Sequence, residues 1–195
     1  MIKKFKFNQL TKQELLVLQN GGVVILPTDT VYGVVTQVSN HESVKRLYAL
    51  KSRQSKPGTI IVASVQQLIE IGVDQQYIDR ASEYLTRPIS VVMPVDDSLL
   101  HLHQGLNSLA FRVVSDPEIA RLLTFTGPLL TSSANSPGNL TATTIVQAQD
   151  YFGDAIDLYI DGGEIADRLA STVIKVDENG VMILRRGSED IENIA

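Results

Sequence analysis

The chain has no cysteine and no tryptophan. The first absence excludes disulfides, thiolate nucleophiles and every zinc site built on sulfur. Only three histidines are present. His101 and His103 would share one face of an extended strand, but no third ligand accompanies them, so they read as ordinary surface residues rather than a metal pair. No apolar run approaches the roughly 18 residues of a spanning helix. The N-terminal "MIKKFKFNQL" has lysines without the apolar core of a signal peptide, so the chain is expected to be soluble and cytoplasmic, without membrane association. Also missing are the GxxxxGK[ST], GxGxxG and HExxH patterns, and Ser132 and Ser133 lack the setting of a nucleophile elbow. Any chemistry is therefore expected to be noncovalent. Excess positive charge is absent too, since 17 basic against 22 acidic residues leave a formal charge of -5. A surface built throughout to grip nucleic acid would be basic.

What is present is the composition of a globular protein, 44% hydrophobic and 20% charged. Its 195 residues can bury a substantial core and are read as a single domain spanning 1–195. Thr11 with Glu14 forms a capping box, with Leu10 and Leu15 as its apolar staple, and Asn20-Gly21 ends that helix. "VVIL" (23–26) is a buried strand. Ser39 with Glu42 predicts a second capping box, opening a helix whose apolar stripe is Val44, Leu47, Tyr48 and Leu50. Strands are expected at "TIIVA", "ISVVMPV", "LAFRVV", "PLLTSS", "DLYI", "STVIKV" and "GVMILRR", and helices near 65–71, 75–86, 116 onward and 143–152. The alternation predicts an α/β fold, a twisted, mostly mixed sheet flanked by helices.

Four stretches carry more than a fold requires. "PTDTVYG" (27–33) turns the chain with three hydroxyls that a plain turn does not need, and Asp29 is by default a turn-forming aspartate. From Ser43 to Ile69 there is no acidic residue, while Lys45, Arg46, Lys51, Arg53 and Lys56 fall close together. In "LKSRQSKPG" an extended chain would put Lys51 and Arg53 on one face toward an anion. The same residues also suit the negative end of a helix dipole. "TSSANSPGN" (131–139) lies where α/β folds place ligands, beyond a strand end, although a solvent loop has similar composition. In "ILRRG", alternation sends Arg185 and Arg186 to opposite faces, so one of them at most joins a given site. The alternative there is an edge strand blunted by charge.

In this order and spacing, "PTDTVYG", "LKSR" with "KPG", "LAFRV", "TSSAN", "STVIKVD" and "ILRRG" resemble the YrdC-like family, the threonylcarbamoyl-AMP synthases of TsaC type. The resemblance runs from about Gly22 to Gly187 and is to the short form, without a further C-terminal domain. It implies a YrdC-like fold and synthesis of threonylcarbamoyl-adenylate from L-threonine, bicarbonate or carbon dioxide, and ATP, with release of pyrophosphate. Mg2+ would be carried with ATP, no protein-held metal is expected, and a downstream transferase would pass the group to tRNA. By the family's pattern, Lys51 and Arg53 would act catalytically and, with Ser133 and Asn135, bind ATP. Arg185, Ser108 and Thr141 would be further nucleotide contacts. Thr28, Tyr32, Arg112, Thr131 and Ser171 would form the threonine pocket, with Arg112 on the substrate carboxylate. One departure is that the strand histidine of longer members is replaced here by Ile60 and Ile61, which bears on the choice of amine. Weak tRNA binding is a further expectation. The other readings are a non-catalytic RNA-binding module using the groove around Lys45–Lys56, and a related enzyme acting on a different amine.

Overall fold

A computed structural model of the chain describes residues 4–52, 56–177 and 180–191. In it the alternating runs become β1 (Lys4–Lys6), α1 (Lys12–Gln19), β2 (Val24–Pro27), β3 (Tyr32–Gln37), α2 (His41–Leu50), β4 (Thr59–Val62), α3 (Val65–Glu70) and α4 (Gln75–Leu85). These are followed by β5 (Ile89–Pro94), α5 (Leu100–His103), β6 (Ser108–Val113), α6 (Pro117–Thr126), β7 (Leu129–Ser133), α7 (Ile145–Phe152), β8 (Leu158–Asp161), β9 (Thr172–Asp177) and β10 (Gly180–Arg185). Among the described residues the strands form one sheet in the order β1, β8, β2, β3, β7, β4, β6, β5, β9, β10. Parallel pairs (β1 with β8, β2 with β8, β4 with β6, β5 with β9) are interleaved with antiparallel ones, so the sheet is mixed, as expected. No helix among the described residues is long and apolar enough to cross a membrane.

Local signals set most helix starts. Thr11 and Glu14 form the reciprocal box that opens α1. Asp116 accepts from the N–H groups of Glu118 and Ile119 at 2.8 and 3.1 Å, with Pro117 in the first turn of α6. The start of α2 differs from the expected box at Ser39. The cap is Asn40, whose side chain accepts from Ser43 N–H at 3.0 Å, because asparagine one residue later caps as well as serine does. Two short elements, β1 and α5, have too few residues to show a period and were not anticipated.

His101 and His103 lie on α5, not on a strand, and neither is an ordinary surface residue. His103 is fully buried, and its Nδ1 accepts from the N–H groups of Gly105 and Asn107, both at 3.1 Å. The partly buried His101 ring stacks on His41 at 3.7 Å.

Strand alternation divides the apolar residues between two cores. Val24 and Leu26 of β2 and Leu158 and Ile160 of β8 face one, whereas Ile25 and Tyr159 face the other. The larger core takes α2, α4 and α7 through residues such as Val44, Leu47, Ile78, Leu85 and Phe152. The smaller takes Leu18 of α1 and Ile119, Leu122 and Leu123 of α6 against β2, β3, β4, β7 and β8. Strands β5, β6 and β9 contribute no buried residue to this smaller core. The face of the sheet beside it is therefore left for something other than helix packing.

Candidate functional site

A cavity of about 360 Å³ occupies that face. Its floor is a row of small side chains, Thr131, Thr59, Ala110 and Val92, set side by side by the register of β7, β4, β6 and β5. On β6 the pattern of two sends Ser108, Ala110 and Arg112 to the cavity and Leu109 and Phe111 to the larger core. Two glycines permit this close arrangement. A Cβ at Gly33 would meet Thr131 Oγ1 at 2.7 Å, and one at Gly58 would meet the Thr131 carbonyl oxygen at 2.5 Å.

The "PTDTVYG" segment is a tight connection between antiparallel β2 and β3, at the same sheet end as the last residues of β7, since Gly33 pairs with Ser133. Its hydroxyls serve the turn more than expected. Thr28 Oγ1 donates to the Val31 carbonyl at 2.7 Å and accepts from Thr30 and Val31 N–H, both at 3.3 Å. Thr28 and Thr30 also line the cavity. Tyr32 does not. Its side chain is fully buried in the larger core, on the opposite face from Gly33, and its hydroxyl donates to Gly163 O at 2.7 Å and accepts from Gly162 N–H at 3.0 Å. Placement of Tyr32 on the pocket wall is thus corrected. Burial holds its hydroxyl above the ordinary tyrosine pKa, with the Gly162 N–H acting in the opposite direction.

Asp29 is more than a turn residue. Its Oδ1 accepts from Arg112 Nη2 at 2.8 Å, and both side chains are only 4% exposed. Burial lowers the proton affinity of the guanidinium and Asp29 raises it; an arginine keeps its charge in such a site. Arg112 lines the cavity together with Thr28, Thr131 and Ser171, so four of the five residues expected around an amino acid converge there.

The residues expected around a nucleotide divide differently. Ser108, Ser133 and Arg185 line the same cavity. Arg185 Nη2 donates to Ser171 O at 2.7 Å, and Ser171 Oγ lies 2.8 Å from Ser90 Oγ. A bulge between Ile183 and Arg185 brings both Leu184 and Arg185 to the cavity, while Arg186 borders a separate shallow depression near Thr172. Lys51, Ser133 and Asn135 meet, but the lysine is turned inward. Its Nζ donates to Ser133 O and Asn135 Oδ1, each at 2.8 Å, and to Asn135 O, and lies 5.9 Å from the Phe152 ring centroid. Ser133 Oγ donates to Asn135 Oδ1 at 2.7 Å. Lys51 and Asn135 therefore stand behind the cavity wall, and Thr141, half-buried, is also outside the lining. Arg53 lies outside the described residues. The basic run does not converge as a whole, because Arg46 pairs with Asp157 at 2.6 Å.

Spacing carried no signal for Asp29, Thr59 or Ser90; the Asp29–Arg112 contact joins residues 83 apart. Among the described residues no group of three or more acidic or histidine side chains is placed to hold a metal ion. A cavity of this volume, with one buried cation and several hydroxyls over a floor of small side chains, suits a small polar ligand carrying a carboxylate or phosphate.

A family model named Sua5_yciO_yrdC, described as "Telomere recombination", matches residues 16–187. The chain is 32% identical over 163 residues to a threonylcarbamoyl-AMP synthase of Pseudomonas aeruginosa, covering 82% of this chain and 88% of that protein. The crystal structure of P. abyssi Sua5 complexed with L-threonine superposes with a TM-score of 0.84 at 25% identity, covering 100% of this chain and 59% of that one. The chain thus spans about three fifths of that protein's length. E. coli YciO has the same fold, with a TM-score of 0.83 at 19% identity and 98% coverage of both chains.

Proposed function

The chain belongs to the Sua5, YciO and YrdC family, and from that premise we propose that it is a nucleotidyltransferase making L-threonylcarbamoyl-adenylate. The substrates are L-threonine, bicarbonate or carbon dioxide, and ATP. The observation that carries this reading is the convergence of Thr28, Arg112, Thr131 and Ser171 on one cavity. The threonine amine attacks carbon dioxide, giving a carbamate and releasing a proton; a carbamate oxygen then attacks the α-phosphorus of ATP and pyrophosphate leaves. Such a reaction needs reactants held in line and developing charge offset, not a covalent nucleophile.

In this proposal Arg112 takes the amino-acid carboxylate, and Thr28, Thr131 and Ser171 supply hydroxyls. Ser108, Ser133 and Arg185 face the nucleotide, Arg53 and Thr141 add contacts, and Lys51 and Asn135 hold the turn after β7 in shape. Mg2+ enters with the phosphates of ATP. The whole chain acts as one domain in the cytoplasm, and its product goes to a transferase that modifies tRNA. With Arg46 paired and Lys51 turned inward, the basic run offers less surface to RNA than its sequence promised, so direct tRNA binding is a weak accessory. The amine remains the point to test, since Ile60 and Ile61 are both fully buried in the two cores and neither can replace a strand histidine.

The test is pyrophosphate release from ATP with bicarbonate present and L-threonine added, omitted or replaced by L-serine. Strict dependence on threonine is expected. Release with another amine would discard the substrate while keeping the ATP site, and no release under any condition would refute the enzymatic reading.

A further inference from the structure

Arg112 rises from the cavity floor on β6, and its buried guanidinium has one bonded partner among the described residues, Asp29 Oδ1 at 2.8 Å from Nη2. Two further atoms of this pair are buried without partners, Arg112 Nε and Asp29 Oδ2. Nε and Nη2 lie on the same edge of a guanidinium, the edge that a carboxylate grips in a side-on fork. Asp29 therefore holds the guanidinium through Nη2 alone, and Nη1 is left for a ligand. The two residues also face different spaces. Arg112 lines the main cavity, whereas Asp29 lines a neighbouring cleft of about 300 Å³ with Thr30, Pro88, Arg168 and Ser188. Asp29 is not needed to close its own turn, because Thr28 Oγ1 makes those bonds.

We propose that Asp29 is a positioning residue for amino-acid recognition: from behind the cavity it holds Nη2 of Arg112, so that Nη1 is presented to the substrate carboxylate. The inference rests on the threonine reading of the cavity and adds a residue to it. An arginine side chain has several rotatable bonds, and fixing its head before the ligand arrives removes an ordering cost from binding. If Asp29 merely neutralised a buried charge, removing it would leave Arg112 uncompensated, and carboxylate binding would tighten.

The experiment uses the full chain, wild type and Asp29→Asn, titrated with L-threonine, with L-threoninamide, which lacks the carboxylate, and with ATP. Removing an outer partner that orients a ligand-binding side chain typically costs about 10- to 100-fold in affinity. Threonine affinity should accordingly fall by about 10- to 100-fold, with threoninamide and ATP essentially unchanged. Equal losses for threonine and threoninamide, a loss for ATP, or tighter threonine binding would overturn the proposal. Nitrogen-15 relaxation of the Arg112 Nε–H needs no ligand. It should report a rigid group in the wild type and a mobile one in the variant, and equal rigidity in both would also overturn it. If Asp29→Asn does not fold, Asp29→Glu, which keeps the charge but moves it by one methylene, carries the same comparison. Wild-type protein that binds ATP but not threonine would remove the parent reading and this inference with it. Threonine binding that is unchanged in the variant would remove this inference alone.

Discussion

Replacing Lys51 by methionine separates a cation that holds the protein together from one that only meets a ligand. In the structure the ammonium is buried, at 5% exposure, and donates to Ser133 O, Asn135 Oδ1 and Asn135 O. Hydrogen bonds to a charged group each contribute about 1.5–3 kcal/mol, and an acceptor left buried without a donor loses its solvation as well. Methionine fills a similar volume and avoids burying a charge, so the three contributions are not fully additive. A net loss of about 3 kcal/mol is reasonable, at the low end of the range for removing one partner of a buried charged pair. For a chain of this length each kcal/mol moves Tm by about 2–4 °C, which gives a fall of about 6–12 °C. Thermal unfolding followed by far-ultraviolet circular dichroism, without nucleotide or amino acid, measures it. A cation kept free for phosphate would give an unchanged or higher Tm on removal, and that result would refute the reasoning. Lys51→Arg should recover only part of the loss, because a planar fork does not suit three converging oxygens. It follows that lost activity in a Lys51 variant is not by itself a sign of a lost phosphate contact.

Gly33→Ala places a Cβ 2.7 Å from Thr131 Oγ1 and 3.2 Å from Thr28 Cγ2. Overpacking of this kind costs about 1–3 kcal/mol, and because both neighbours line the cavity, threonine affinity should fall more than ATP affinity; unchanged Tm and unchanged threonine binding would contradict the close packing. Burial, opposed by the Val38 carbonyl and reinforced by His41 and His103, lowers the His101 pKa. The unfolded chain then takes up this proton first as pH falls below about 6.5. His101 should therefore contribute stability that is present above that pH and is lost as pH falls through its lower folded pKa. Denaturant midpoints between pH 7.5 and 5 should decline less in His101→Gln than in the wild type, and parallel profiles would count against the assignment.

Elements whose information is local are legible in the order of the residues. The Thr11–Glu14 box, the Asp116-Pro117 start and the two-residue alternation of "SLAFRV" can each be read from neighbours a few positions apart, because helix caps and strand faces depend on backbone geometry over one or two turns. Ordered motifs also supplied the set of residues that meet at the cavity: Thr28, Ser108, Arg112, Thr131, Ser133, Ser171 and Arg185. The tertiary structure alone decided which atoms those residues present. Lys51 is held by groups 82 and 84 positions away, Asp29 by one 83 away and Arg46 by one 111 away. Tyr32, beside a cavity-lining glycine in sequence, faces the opposite core and anchors Gly162 and Gly163 instead. These partnerships follow from the order in which β8, β2, β3, β7, β4 and β6 lie in the sheet. Strand order is set by burying two cores at once, and no periodicity along the chain encodes which distant charge will be nearest when that burial is complete.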